Sequence, residues 1–365
     1  MAGGPARNGR AQLGVPGGAR ILRVPAQPAA PLPATPPANP TLPAYAGSRS
    51  WLRYRELLDE CFGIRLSHEP EELWTSVRGH RLHVDRWRPS AAAAPVAPAG
   101  GTVILVHGGG GHGRILAPVG EFVATLGWQA LAPDLPGYGL TRPAPGFAWD
   151  YAEWPAVVAE LAEACAGPVV LLGLSVGGLT AVHAARRVPR VAGVIATTLL
   201  DMSDPAAFVG AARWRWLAAA SLLGFRLMPR LTDRIALPLR WVAPMHAMSS
   251  HPRMQAYFVD DALLGARHVP ARLFRTLHAH AVDTAPLHCP LLLVHPGADA
   301  WTPTALSRST FDRLQGTKRF RELTNGSHLP AEQPALDELR QEVASALAEA
   351  AGRRPQHAPP RGPST

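Results

Sequence analysis

Gly173-Leu174-Ser175-Val176-Gly177-Gly178 directly follows the apolar run Pro168-Val169-Val170-Leu171-Leu172. A buried strand that ends in Gly-X-Ser-X-Gly and then enters a helix is the sequence form of a nucleophile elbow. The serine sits on a sharp strand-to-helix turn, and only glycine fits beside it without a Cβ clash. Its hydroxyl then stands above the sheet edge, facing N–H groups at the start of the helix. Leu179-Thr180-Ala181-Val182-His183-Ala184-Ala185 continues as a helix with an apolar face. The competing reading is a glycine-rich turn of a nucleotide-binding fold. Against it, the stretch lacks both a Gly-X-Gly-X-X-Gly string and a Lys-Ser/Thr pair.

Working outward, strand and helix patterns alternate from residue 102. Apolar strands are predicted at 102–106, 128–132, 168–172, 191–197 and 290–295, with a weaker one at 319–323. Helical patterns fall near 114–126, 151–166, 176–187, 303–315 and 332–350. Buried apolar strands alternating with helices indicate an α/β protein whose mostly parallel sheet is flanked by helices on both faces. The alternation breaks once, where about 90 residues separate Leu199 from Pro290, too many for one crossover helix. Residues 201–287 are therefore predicted to form a helical cap inserted after the sixth main strand. Before the alternation, 51–62 reads as a helix, and 73–78 and 80–87 alternate around Gly79 as a β-hairpin. The expected core is then 51–200 with 288–351.

The chain has 365 residues, 47% of them apolar, which is ample for a buried core. Its three cysteines, Cys61, Cys165 and Cys289, are an odd number at wide spacing. They suggest neither a disulfide framework nor a metal site, and they favour a reducing, cytoplasmic setting. The net charge of +9 resembles a nucleic-acid signal, but residues 1–50 and 352–365 carry eight of those charges and no acid. No nucleic-acid partner is expected. Residues 1–50 hold ten prolines and, like 352–365, are predicted to be disordered. They carry no convincing secretory signal, and a start assigned too far upstream is an alternative explanation of the segment. No uninterrupted apolar run reaches 18 residues, so no membrane span is expected.

The strand at 102–106 ends in His107-Gly108-Gly109-Gly110-Gly111-His112-Gly113. Consecutive glycines let backbone N–H groups approach a ligand closely. This loop is the expected source of a second oxyanion donor beside the N–H of Val176, with Gly109 first and Gly110 next. A phosphate nest is the alternative. His107 is expected to hold the loop by hydrogen bonds, and His112 is a candidate substrate contact. Asp134, in Asp134-Leu135-Pro136-Gly137-Tyr138-Gly139, is expected to brace a turn. Asp299 follows the strand 290–295 and can point into the crevice at the carboxyl ends of the strands. It can also serve as a turn or N-cap residue, and Asp201 is its rival as the site's acid. His328, in Asn325-Gly326-Ser327-His328, follows the last strand and can reach the serine hydroxyl with Asp299 fixing its tautomer. The chain order serine, acid, histidine is the specific element of this set.

On these residues the chain resembles the α/β-hydrolase-fold serine hydrolases. The resemblance spans roughly 70–350 and rests on five motifs in order: His107-Gly108-Gly109, Asp134 to Gly139, Gly173 to Gly177, Gly297-Ala298-Asp299 and Gly326-Ser327-His328. It implies Ser175 as nucleophile, His328 as base and Asp299 as acid, with 201–287 as a lid. It implies no cofactor and no metal. The glycine run is longer than the His-Gly-aromatic form common among capped members, so the donor falls at Gly109 or its neighbour.

The cap sets the substrate. Its bulky apolar residues, with Trp216, Phe225 and Met228 as candidates, suggest a pocket roof for an apolar acyl group of an ester or monoacylglycerol-like lipid. The arginines at 213, 215, 226 and 230 read as a solvated helix face, with a carboxylate, a phosphate or an anionic membrane as possible partners. Amide, thioester or carbon–carbon bond hydrolysis, cofactor-free peroxidation and a ligand-binding sensor remain alternatives. Haloalkane and epoxide chemistry, which need a carboxylate at the elbow, are disfavoured by Ser175.

Overall fold

The computed structural model describes Met1, residues 42–89 and residues 101–352. Residues 2–41, the Ala- and Pro-rich stretch 90–100 and the tail after 352 lie outside the described residues. Residues 42–50 depart from the expected disordered tail. Tyr45 is buried, and α1 (Arg49–Phe62) begins within this stretch, capped by the Ser48 side chain on the Trp51 amide.

A hairpin of β1 (Glu71–Val77) and β2 (His80–Trp87) opens the sheet, with Leu73 opposite Val84. Then follow β3 (Thr102–Val106), α2 (Ala117–Thr125), β4 (Gln129–Pro133), α3 (Glu153–Ala164), β5 (Val169–Gly173), α4 (Val176–Ala185) and β6 (Val191–Ala196). The chain resumes the core with β9 (Leu291–His295), α11 (Thr304–Arg313), β10 (Lys318–Glu322) and α12 (Ala335–Ala351). Between β6 and β9 lie α5 (Pro205–Gly210), α6 (Arg215–Leu227), α7 (Pro229–Thr232), β7 (Ala236–Pro238), α8 (Leu239–Val242), α9 (Pro252–Asp260), β8 (His268–Pro270) and α10 (Ala271–His278). The eight-stranded sheet runs β1-β2-β4-β3-β5-β6-β9-β10, and only the pairs involving β2 are antiparallel.

The burial explains the strand signals. Every residue of β3, β5 and β9 is buried, so these central strands read as unbroken apolar runs. β10 is an edge strand of sequence Lys-Arg-Phe-Arg-Glu, half-buried or exposed along its length. Charges on an edge suit a strand with one open side, which is why its sequence signal is weak. The helix predicted near 114–126 instead begins at Ala117, because Pro118 lacks an amide donor and suits a first turn; a short 3₁₀ turn occupies 113–116. Pro334 likewise delays α12.

The inserted segment is not wholly helical. β7 and β8 pair antiparallel, Leu237 opposite Val269. Each of those residues precedes a proline, Pro238 or Pro270, which pushes it out of the helical region into extended backbone.

The contact that sets the geometry of the centre lies between α4 and the sheet. A Cβ on Gly177 would sit 2.1 Å from the Val106 carbonyl oxygen, and one on Gly173 would sit 2.1 Å from the Gly177 carbonyl oxygen. Neither neighbour can retreat, since both are backbone. Gly177→Ala is therefore expected to destabilise the protein by about 3 kcal/mol or more. A thermal melt of the variant within a degree or two of wild type would show that α4 does not pack this closely.

Candidate active site

Ser175 joins β5 to α4 with φ 56° and ψ −131°. Positive φ is costly for a residue with a Cβ, and here hydrogen bonds around the turn hold it. The Leu174 amide donates to the Val106 carbonyl at 3.0 Å, and the Thr197 amide to the Gly173 carbonyl at 3.0 Å. The first-turn amides of α4, Val176 among them, have no carbonyl of their own helix to bond. The Gly177 and Gly178 amides are taken up by the Leu174 and Ser175 carbonyls at 2.8 and 2.9 Å, which leaves the Val176 amide to face a developing negative charge.

The glycine loop after β3 lies against the serine. A Cβ on Gly108 would be 2.7 Å from Ser175 Cβ and 3.2 Å from its Oγ. Gly109 has open space at the same test. Gly110 is closed in by the inserted segment, since a Cβ there would meet Leu239 Cδ2 at 2.1 Å. His107 is fully buried and holds the loop as expected. Its Nε2 accepts the Leu135 amide at 2.9 Å, which leaves Nδ1–H to donate to the Gly108 carbonyl at 2.8 Å. Burial pushes its pKa down and keeps the ring neutral.

His328 and Asp299 meet at the same edge of the sheet. His328 Nδ1 donates to Asp299 Oδ2 at 2.8 Å, which leaves Nε2 as the bare nitrogen; it makes no hydrogen bond and is buried. The other oxygen, Oδ1, accepts the amides of Trp301 at 2.8 Å and Thr302 at 2.9 Å, so Asp299 both turns the chain and faces the histidine. Burial raises the carboxyl's pKa, but the charge and hydrogen bond of His328 and the Thr302 donors outweigh it and bring it to about 2. Asp201 is engaged elsewhere. Its Oδ1 accepts from Ser203 and its Oδ2 pairs with Arg313 at 3.0 Å.

Residues 97–332 match the family described as serine aminopeptidase, S33. The chain belongs to this family of α/β-hydrolases, which is esterase- and lipase-like. It is similar to pimeloyl-[acyl-carrier protein] methyl ester esterases. With that of Xanthomonas oryzae pv. oryzae (strain MAFF 311018) it shares 42% identity over 96 residues, 26% of this chain and 35% of the relative. It thus spans about a third of that relative's length. With that of Xylella fastidiosa (strain M12) it shares 29% over 249 residues, 63% of this chain and 89% of the relative. Among solved structures, the monoacylglycerol lipase of Paleococcus ferrophilus superposes with TM-score 0.54 at 21% identity, covering 74% of this chain and all but 1% of that one (99%). A soluble variant of the Saccharomyces cerevisiae monoglyceride lipase, in complex with a substrate analogue, gives 0.59 at 14%, covering 80% and 99%. These structural likenesses establish the fold.

Within this α/β-hydrolase the remaining sequence candidates are placed unevenly. His112 was expected to touch substrate, but it is 2% exposed and stacked on Tyr45 at 4.8 Å, sealed beneath the loop. Trp216 is 70% exposed and Met228 53% exposed, so neither roofs a closed pocket. Phe225 packs edge-on against Phe208 at 6.2 Å. Two neighbours of the site were not singled out by sequence. Trp301 lies over the His328 ring at 4.6 Å and donates its indole N–H to the Ala211 carbonyl at 2.7 Å. Thr302 donates its hydroxyl to Asp299 Oδ2 at 2.7 Å. The string Asp299-Ala300-Trp301-Thr302, an acid followed by a threonine three residues on, is the signal by which the turn can be read.

A second missed feature is a buried charged cluster beneath the glycine loop. Asp134 accepts the Gly113 amide at 2.7 Å, the Leu140 amide at 2.8 Å and the Tyr45 hydroxyl at 2.9 Å. His83 lies between Asp134 at 3.1 Å and Glu72 at 2.9 Å. Glu72, His83 and Asp85 offer ligand atoms within 4.8 Å of one another. Arg114, however, donates to both oxygens of Asp85 at 2.7 Å and reaches Glu72 at 3.0 Å, so a cation of the chain itself occupies that space.

Burial alone would lower the His83 pKa, but Asp134, Glu72 and Asp85 raise it to about 10. A pKa raised in the folded state stabilises fully below the unfolded value, near 6.5, and the contribution is lost as pH rises through about 10. Wild type is therefore expected to lose more Tm between pH 7 and pH 10.5 than His83→Gln. Equal losses would mean that His83 carries no charge in the cluster.

Proposed function

We propose that the chain is a serine hydrolase that cleaves carboxylic esters with an apolar acyl group through an acyl-enzyme. Ser175 is the nucleophile, His328 the base and Asp299 the group that orients and stabilises the imidazolium. The observation that carries this reading is the division of labour on His328. Nδ1 is committed to Asp299, and Nε2 is left to take the Ser175 proton. The Oγ–Nε2 hydrogen bond is one that such sites commonly tighten only with substrate bound. The tetrahedral oxyanion accepts from the amides of Val176 and Gly109, each worth about 3–4 kcal/mol in the barrier. Gly109 is the donor of choice because the space around it is open where that around Gly110 is filled by Leu239. The intermediate collapses to the acyl-enzyme as the alcohol leaves with the proton from His328; His328 then deprotonates water, which attacks the acyl-enzyme, and returns that proton to Ser175 as the acid departs.

Residues 201–287 are the lid of this hydrolase in the same reading, with 51–200 and 288–351 as its body. The curated relatives named for methyl ester hydrolysis support an ester over other acyl substrates. The family's description as a serine aminopeptidase favours amide cleavage as the second reading, which the same residues serve.

Hydrolysis of p-nitrophenyl esters of graded chain length tests the proposal. Ser175→Ala is expected to fold normally and lose about a millionfold in kcat. Asp299→Asn is expected to lose about ten-thousandfold, because the wrong tautomer then faces the serine, while Asp201→Asn keeps near wild-type turnover. Turnover that survives in Ser175→Ala, or falls with Asp201→Asn instead, would refute the assignment.

A further inference from the structure

The arm of the inserted segment formed by α6 and α7 is poorly buried. Ala218 is the one buried residue of α6. Trp216, Leu223 and Leu227 recur at spacings of seven and four, which puts them on one helix face. They are 70%, 60% and 64% exposed, and Leu231 in α7 adds 57%. An exposed stripe of four large apolar side chains marks an interaction site.

Its charge says what kind of partner it fits. Residues 213–241 hold six arginines and one acid, Asp233. That acid is already taken by Arg272 and Arg275, at 3.2 and 2.7 Å. Arg215, Arg226, Arg230 and Arg234 have no carboxylate partner among the described residues. Cations flanking a stripe of leucines with a tryptophan at one end match a surface that is anionic outside and hydrocarbon beneath. An acidic protein would satisfy the arginines, but it would leave the leucine stripe without a matching depth of apolar material.

We propose that the α6–α7 arm docks the protein on anionic lipid bilayers. The arm follows the end of α5, where the Ala211 carbonyl holds the Trp301 indole over His328. Docking therefore sets that edge of the site against the membrane face. The inference concerns binding and stands apart from which bond is cleaved.

Co-sedimentation of the full chain with vesicles of phosphatidylcholine, with and without about one-third phosphatidylglycerol, tests it. The expected result is binding that requires the anionic lipid. Since each arginine near such a surface contributes about fivefold, Arg226→Glu with Arg230→Glu should weaken partitioning by about 25-fold or more. Leu223→Ser with Leu227→Ser should weaken it by at least about tenfold. These side chains are exposed, so circular dichroism melts should match wild type. No binding to anionic vesicles overturns the proposal. So does binding that all four substitutions leave intact, which would place the contact in the basic termini. A dimer in sedimentation equilibrium that the leucine variants dissociate, without vesicle binding, assigns the face to a second copy. Capture of an acidic carrier protein without vesicle binding assigns it to that partner. A chain that docks but hydrolyses no ester leaves this inference standing and removes the functional proposal.

Discussion

The close approach of α4 to β3 and β5 governs the rest of the molecule. Two glycines without a Cβ let the helix come down onto the backbone of Val106, and the link between strand and helix becomes so short that Ser175 takes positive φ. Such a backbone costs on the order of 1–3 kcal/mol. It persists because its neighbours are bonded to buried strands on both sides, to β3 through Leu174 and to the end of β6 through Thr197. The direction of the serine side chain and the free Val176 amide follow from that strain. Parallel strands bring the loops after β3, β9 and β10 to the same end of the sheet, so the glycine loop, Asp299 and His328 lie at the end where Ser175 stands.

The glycine loop needs a different support, because glycines supply no side chains to hold it. The support is electrostatic. Asp134 takes donors from three separate parts of the chain: Gly113 at the loop's end, Leu140 in its own turn and Tyr45 ahead of the hairpin. A buried carboxylate is expensive, and a buried ion pair seldom adds net stability over an apolar replacement. What it adds here is position. His83, Glu72, Arg114 and Asp85 extend the network to the hairpin, so the first strands are tied to the loop by charge as well as by packing. Tyr45 and Tyr54 bring the N-terminal segment into the same support, the second through its bond to the Ile115 carbonyl at 2.9 Å.

These two supports were unequally legible. The elbow is local: a strand, two glycines and a helix within a dozen residues, each readable from side-chain type. The order of the sheet, the break between β6 and β9 and the pairing of an acid with His328 followed from periodicity and chain order. The charged cluster was hidden because its members come from positions 45 to 134, each ordinary where it stands. His83 and Asp85 share one face of β2, and in an alternating strand polar residues usually mark the solvent side. Here Tyr45, ahead of α1, and Arg114, in the turn before α2, cover that face, and nothing in β2 reports it. For the same reason His112, beside four glycines, read as a substrate contact although Tyr45 closes over it. The cap residues failed differently. Bulk and hydrophobicity identify side chains that leave water somewhere, but not whether they leave it inward.

The inserted segment has two halves with different physics. The later half is fixed to the body. Met248 accepts the Leu329 amide beside His328 at 3.0 Å, the Tyr257 hydroxyl meets Ser50 at 3.1 Å, and Arg253 pairs with Glu60 at 2.6 Å. The histidine loop is thus braced by the inserted segment. The earlier half, α6 and α7, has almost no buried side chain and few bonds beyond its own helices. Local opening is least costly where buried apolar contact is least, so any displacement of the insertion falls on this arm while the half bonded to the His328 loop stays in place. Support of the histidine loop and freedom to move are thereby assigned to different parts of one insertion. That separation lets the exposed arm keep an apolar surface without loosening the site beneath it.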